Sequence, residues 1–286
     1  MRSIAREVYI EDQYPGVILG AIVLPQGLIQ IDAPPSSEDG RSWRAALLSL
    51  SNSTERILIN LDAHPDRTLG ARSMDSTVVA HEKSAAVFRS RPTTFKGQGE
   101  ETGAEWEDIP GMGNIRWSPP EITFSQQITF HWGAMPVLVE YHPGPSQGAC
   151  WVILPEIKVV FIGDAVIAGQ PPFLASANIP EWLDSLKLLT SPAYRGWQVI
   201  SGRSGLVNVD QIRAQAEFLK KVQTKAEKLS TSKNLLDALE NLANALAGDF
   251  KAPSSRQHKY SQRLRHGLRQ YYNHHFRSSG GLNEEE

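Results

Sequence analysis

A single cysteine, Cys150, stands in a chain of 286 residues. No intrachain disulfide framework is available, and the composition fits a reducing cytoplasm. Long apolar runs are also missing. Nothing approaches the ~18 consecutive apolar residues that cross a bilayer, and the opening MRSIAREVYIED lacks the apolar run of a secretion signal. Excess charge of either sign is absent too. The formal net charge of −2 gives no reason to expect nucleic acid or a membrane surface as a partner. Ser146, Ser201 and Ser204 lie in no G-x-S-x-G elbow, which removes the usual sign of a serine nucleophile.

What is present is ordinary for a globular chain: 41% hydrophobic and 21% charged residues. A chain of this length buries roughly three quarters of its unfolded surface, enough for one large domain or two modest ones. Residues 7–32 read as a β-meander, with the runs VYI, VILGAIVL and LIQID broken by Tyr14-Pro15-Gly16 and Pro25-Gln26-Gly27. A Ser/Glu/Asp stretch then caps a helix carrying Trp43, Ala46, Leu47 and Leu50 on one face. Ser76–Ala80 reads as a short buried strand, and His81-Glu82-Lys83 starts a helix. From Arg89 to Ser118 periodicity is lost, which implies either a mobile flap or an insertion with its own turns. A second meander is expected over Ile122–Phe124, Ile128–Trp132, Val137–Tyr141, Trp151–Leu154 and Val159–Ile162. A helix through Trp182, Leu183, Leu186 and Leu189 and a strand at Trp197–Ile200 follow. Beyond Val209 the chain turns helical: to about Leu229, from Lys233 to Ala247, and from Arg256 to Phe276. The last helix is basic, with Leu264, Leu268 and Tyr271 as an apolar stripe and a solvated opposite face.

The chemistry concentrates in Arg56–Ala71, RILINLDAHPDRTLGA. A buried strand runs into a turn that packs Asp62, His64, Asp66 and Arg67 together, and the ends of such strands are where α/β proteins place function. This stretch resembles the H-x-H-x-D-H signature of the metallo-β-lactamase superfamily. Three further landmarks follow in the family's order. His142-Pro143-Gly144-Pro145-Ser146-Gln147-Gly148-Ala149 is similar to its P-G-H-T-P-G-S, Val159–Ala165 (VVFIGDA) to its G-D strand, and Ser201–Gly205 (SGRSG) to its late G-H-G turn.

The resemblance covers roughly residues 7–230 and implies an α/β fold, a metallo-β-lactamase-like αββα sandwich, to which the later helices add a C-terminal helical extension. Residues 1–230 would form the sandwich domain, 231–277 the extension and 278–286 a disordered tail. It also implies a metal-dependent hydrolase, if the chain is active at all. Carried over residue by residue, His64, Asp66 and Asp164 match family ligands, whereas Asp62, Arg67, Pro145 and Arg203 stand where histidine is expected. Proline has no side-chain donor and arginine stays protonated, so a dinuclear zinc centre is not expected.

Three readings follow. In the first, a pseudoenzyme, Arg67 and Arg203 replace the metals by pairing with Asp62, Asp66 and Asp164, a protonated His64 completes neutrality, and the two arginines bind an anionic small molecule. In the second, Asp62, His64, Asp66 and Asp164 hold one divalent ion (Mn, Mg, Fe or Zn), with Asp66 as the catalytic residue. The third is an interaction protein acting through the basic C-terminal helix. The substrate and the oligomeric state stay open, a homo-oligomer included. His81 resembles a structural residue, His142 a loop histidine and Cys150 a small buried hydrophobe.

Overall fold

Alternating apolar residues at the start of the chain become an antiparallel meander of β1 (Arg2–Ala5), β2 (Val8–Glu11), β3 (Leu19–Leu24) and β4 (Gly27–Ile31). The computed structural model describes residues 1–51, 53–97, 101–229 and 234–277. Strand β1 precedes the meander read from the sequence; its half-exposed edge position carries no full alternation. From β4 the chain crosses through α1 (Ser37–Leu48), whose first turn is capped by Ser36 Oγ accepting from Asp39 N at 3.1 Å. It returns as β5 (Arg56–Ile59), parallel to β4 with Ile29 opposite Ile57. A single helical turn, α2 (Pro65–Thr68), then leads to β6 (Thr77–His81) and α3 (Glu82–Ser90). The short hairpin pair β7 (Thr94–Phe95) and β8 (Ile115–Arg116) precedes β9 (Ile122–Phe124), which adds in parallel beside β6. The first sheet is thus seven-stranded, in the order β1-β2-β3-β4-β5-β6-β9.

The second sheet has six strands in sequence order: β10 (Gln127–Phe130), β11 (Val137–Tyr141), β12 (Cys150–Leu154), β13 (Val159–Phe161), β14 (Gln198–Ser201) and β15 (Gly205–Val207). Only the β13–β14 pair is parallel, bridged by α4 (Ile179–Leu189). Among the described residues three helices follow: α5 (Val209–Leu229), α6 (Leu235–Ala247) and α7 (Ser254–Tyr272). Lys233, read as the start of α6, and the tail 278–286 lie outside the described residues.

Three apolar layers hold this together. Between the sheets, Ile10, Ile22, Ile31 and Ile59 meet Val137, Val152, Leu154 and Phe161. Trp43 and Leu47 of α1 cover the outer face of the first sheet at Leu19 and Leu58. On the outer face of the second sheet, Trp151 and Val160 are covered by Trp182, Leu219, Leu242, Leu264 and Leu268 from α4 to α7. The arrangement is helix, sheet, sheet, helix, the αββα sandwich, and α6 and α7 share its outer core. Among the described residues no helix is long and apolar enough to cross a membrane.

Within the stretch 89–118, the described residues 89–97 and 101–118 carry their own turns and the β7–β8 pair. Phe88, Met112 and Trp117 form a small core with Phe95 and Trp106 packed on it. His81 is fully buried, stacked on Tyr141 at 4.0 Å, with Nε2 on Ser125 O and Nδ1 accepting from Lys83 N. His142 stacks on Trp151 at 3.7 Å rather than standing free in its loop. Cys150 is buried beside the carbonyls of Asn60 and Leu61, and burial pushes its thiol well up.

Candidate functional site

Parallel strands present their carboxyl ends together, and β4 and β5 do so here. After β5, Asp62 Oδ1 accepts from His64 N at 2.8 Å and closes the turn. His64 then caps α2, its Nδ1 accepting from Asp66 N at 3.3 Å, and Pro65 sits at the first helical position. Asp66 and Arg67 therefore project from one short helical turn into the protein. After β4, Asp32 adopts a left-handed backbone (φ 59°). Its Oδ1 accepts from Leu61 N at 2.9 Å. Asp164 comes from the turn after β13, and Arg203 from the turn joining β14 to β15. There the buried Ser201 Oγ accepts from Arg203 N at 3.2 Å.

These side chains converge. Arg67 exposes no surface: Nη1 donates to Asp32 Oδ2 at 2.9 Å, Nη2 to Asp164 Oδ1, and Nε lies 3.1 Å from Asp62 Oδ1 without hydrogen-bonding alignment. Arg203 has a side chain 3% exposed. Its Nε donates to both Asp164 oxygens at 3.0 Å, and its Nη1 donates to Asp66 Oδ2 at 2.6 Å and to Gly16 O at 2.9 Å. Its Nη2 stands 3.1 Å from His64 Nδ1.

The protonation pattern follows from these contacts. Burial alone would raise Asp164 and Asp66, but Arg203, joined by Arg67 at Asp164, holds both below the usual carboxylate range. Burial also acts on Asp32 and Asp62, and there Arg67, the strongest opposing charge, offsets it only in part. Asp32 is pushed up to about 7, and Asp62 is raised as well. Burial and then the neighbouring Arg203 push His64 down to about 3. His64 is therefore neutral, its Nδ1 an acceptor facing an arginine, and the expectation of a protonated His64 is corrected. Asp32 joins the cluster as a fourth carboxylate, and Asp66 and Asp164, held low by the guanidiniums, stand opposite Arg67 and Arg203.

Two further elements cover the cluster. From the insertion, Trp106 N donates to Asp66 Oδ1 at 2.8 Å. From α7, the buried Arg263 donates from Nε to Gly103 O at 3.0 Å and from Nη1 to Pro171 O at 3.2 Å. Phe173 lies between two guanidiniums, Arg203 at 4.3 Å and Arg263 at 4.1 Å, and its ring meets that of His64 at 4.5 Å. The basic helix is thus not solvated on its whole polar side.

Asp32, Phe173, Trp106 and Arg263 were not singled out from the sequence. Asp32 had a usable signal, since it ends the strand that pairs with β5. So did Arg263, because Tyr260, Arg263, Leu264, Gly267, Leu268 and Tyr271 share one helical stripe, and an arginine on that stripe must be buried. Phe173 and Trp106 had none.

A dinuclear zinc centre does not fit these residues. Both oxygens of Asp164 and both of Asp66 accept from guanidinium or backbone N–H groups, and His64 Nδ1 faces Arg203 and Asp66 N. Pro145 is buried and offers no lone pair. Among the described residues, no group of three or more His, Cys, Asp or Glu side chains is placed to hold a metal ion.

The geometry stands beside three comparisons. A family profile described as the metallo-beta-lactamase superfamily matches residues 31–229. No curated protein matches the chain. Among solved structures, a metallo-beta-lactamase from Pontibacter korlensis is similar with a TM-score of 0.60 and 17% identity, covering 77% of this chain and 97% of its own. One from Erythrobacter litoralis has a TM-score of 0.57 and 16% identity, covering 77% and 95%. At these identities the structures speak for the fold alone, while the profile spans most of the sequence. The chain belongs to the metallo-beta-lactamase superfamily.

Proposed function

We propose that this chain is a non-hydrolytic member of its superfamily, in which a buried network of arginines and aspartates has taken the place of the metal centre. The observation that carries this reading is Asp164. It matches the family's bridging ligand, and both its oxygens accept from Arg203 Nε, with Arg67 Nη2 donating to Oδ1 as well. A metal ion would have to displace two permanently charged side chains from a buried pocket, and the freed guanidiniums would lose their partners. Catalysis by Asp66 meets the same obstacle, because its oxygens are held by Arg203 and Trp106 N. A direct grip on an anionic ligand by Arg67 and Arg203 finds no support either. Their side chains are 0% and 3% exposed, and their donors are directed at the protein's own acids.

Metal analysis of protein purified without chelator, followed by dialysis against excess zinc, tests the proposal. The expected content is well below one ion per chain before and after dialysis, with no change in Asp62→Ala. A stoichiometric divalent ion that is lost in Asp62→Ala would overturn it in favour of a single-metal hydrolase.

A further inference from the structure

Away from the buried cluster, four arginines surround one groove of about 430 Å3. Arg72, Arg89, Arg91 and Arg116 line it together with the largely buried Phe88 and Trp117, and among the described residues Glu121 is the one acid in its wall. None of the four arginines forms an ion pair with an acid among the described residues. Like charges gathered at one opening repel, and apolar walls focus their field toward the space between them.

Arg91 is fixed in place rather than free. Its guanidinium lies 4.5 Å from the Trp117 ring and 5.2 Å from that of Phe88, and its Nη2 donates to Ala63 O at 2.7 Å. Its Nη1 is buried and has no hydrogen-bond partner. A buried donor without an acceptor is costly and calls for a ligand atom or ordered solvent. Burial pulls Arg91 down to about 10, the shift an adjacent anion would reverse.

We propose that this groove binds a small phosphate monoester, its oxyanion taken by the exposed guanidinium forks of Arg89 and Arg116 in the field of Arg91 and its organic body resting against the wall that Pro92, Pro119 and the margins of Phe88 and Trp117 line. Forked planar donors match a tetrahedral oxyanion better than ammonium groups do. The volume falls within the ~300–1,000 Å3 of small-molecule pockets, more than a bare oxyanion fills. Because Arg91 also holds Ala63, between Asp62 and His64, an occupant would lie in the field of a guanidinium anchored to the motif turn.

Isothermal titration of the full chain with phenyl phosphate and with inorganic phosphate, at low ionic strength, tests this. One saturable site is expected, tighter for phenyl phosphate, and weakened at least about tenfold in Arg89→Glu/Arg116→Glu, roughly 1.4 kcal/mol or more. Both positions are exposed, so this variant should keep its melting temperature. The control Arg6→Glu/Arg213→Glu makes the same charge change elsewhere on the surface and should bind as wild type. Absence of saturable binding, undiminished binding in the groove variant, or an equal loss in the control would each overturn the proposal. Tighter binding of inorganic phosphate than of phenyl phosphate would overturn the assignment to an ester.

Discussion

Arg67 is the side chain on which the cluster turns, since it faces Asp32, Asp62 and Asp164 at once. Arg67→Met leaves those acids buried without their cation and should destabilise the fold by about 3–5 kcal/mol, read from the urea midpoint. Arg67→Lys should not rescue it, because one ammonium cannot span three carboxylates. The pH dependence separates two opposing residues. Folded Asp32 titrates near 7 against an ordinary 3.8, so the folded state holds an extra proton between those values and Asp32 adds stability as pH falls through that window. His64 works in reverse. The unfolded chain takes up its proton below 6.5 and the folded chain only near 3, so stability drains as pH falls between them. In Asp32→Asn, whose asparagine tolerates the left-handed backbone, only the Asp32 contribution is removed. The stability deficit relative to wild type should therefore widen from pH 7 to pH 4, by up to about 1.4 kcal/mol per pH unit. A deficit that stays constant in chemical melts across that range would contradict the assignment. At this scale the sequence carried identities but not orientations. The motif points to Asp62, His64, Asp66, Arg67, Asp164 and Arg203, yet nothing in the sequence places Arg203 Nη2 against His64 Nδ1, the contact that joins burial in disfavouring a charged ring.

Among the elements, the insertion and α7 depend on each other. Gly103 has φ +72°, and a β-carbon there would lie 2.6 Å from Lys259 O and 2.7 Å from Arg263 N. Gly103→Ala adds backbone strain to a clash with a helix, and should cost about 2–4 kcal/mol. Its first effect should be local. The Trp106 amide, bonded to Asp66, should lose hydrogen-exchange protection before the central strands do, whereas uniform loss across the chain would contradict a separable cover. The strands and long helices were legible because burial imposes a period on them, as in β3 to β5 and α5 to α7. The insertion was not. Its order comes from scattered ring contacts, Phe95 on Trp106 at 4.7 Å and on Trp117 at 5.4 Å, which leave no repeat in the sequence.

For the whole molecule, the match to the family profile ends at Leu229, but packing does not stop there. Leu264, Leu268, Tyr271 and Tyr272 of α7 lie at 0–5% exposure in the same outer core as Trp182 and Leu219. Removing α7 uncovers the core side chains it packs on, Trp182, Leu219 and Leu242 among them, at a loss of up to ~1.5–3 kcal/mol for each one fully exposed, a large share of the stability of a typical domain. A chain ending at Gly248 should therefore be insoluble or bind a hydrophobic dye. A soluble, cooperatively melting fragment would show the extension to be dispensable. The charge cluster adds a constraint on how the two sheets come together. Asp32, Asp62, Asp66 and Arg67 arrive with the N-terminal sheet, Asp164 and Arg203 with the other, so either half alone would hold ionised groups that stay hydrated until their counterparts dock. Dehydration of the seam is thereby tied to assembly of both halves. The protein should melt in one calorimetric step, with no intermediate in which one sheet has dried before the other.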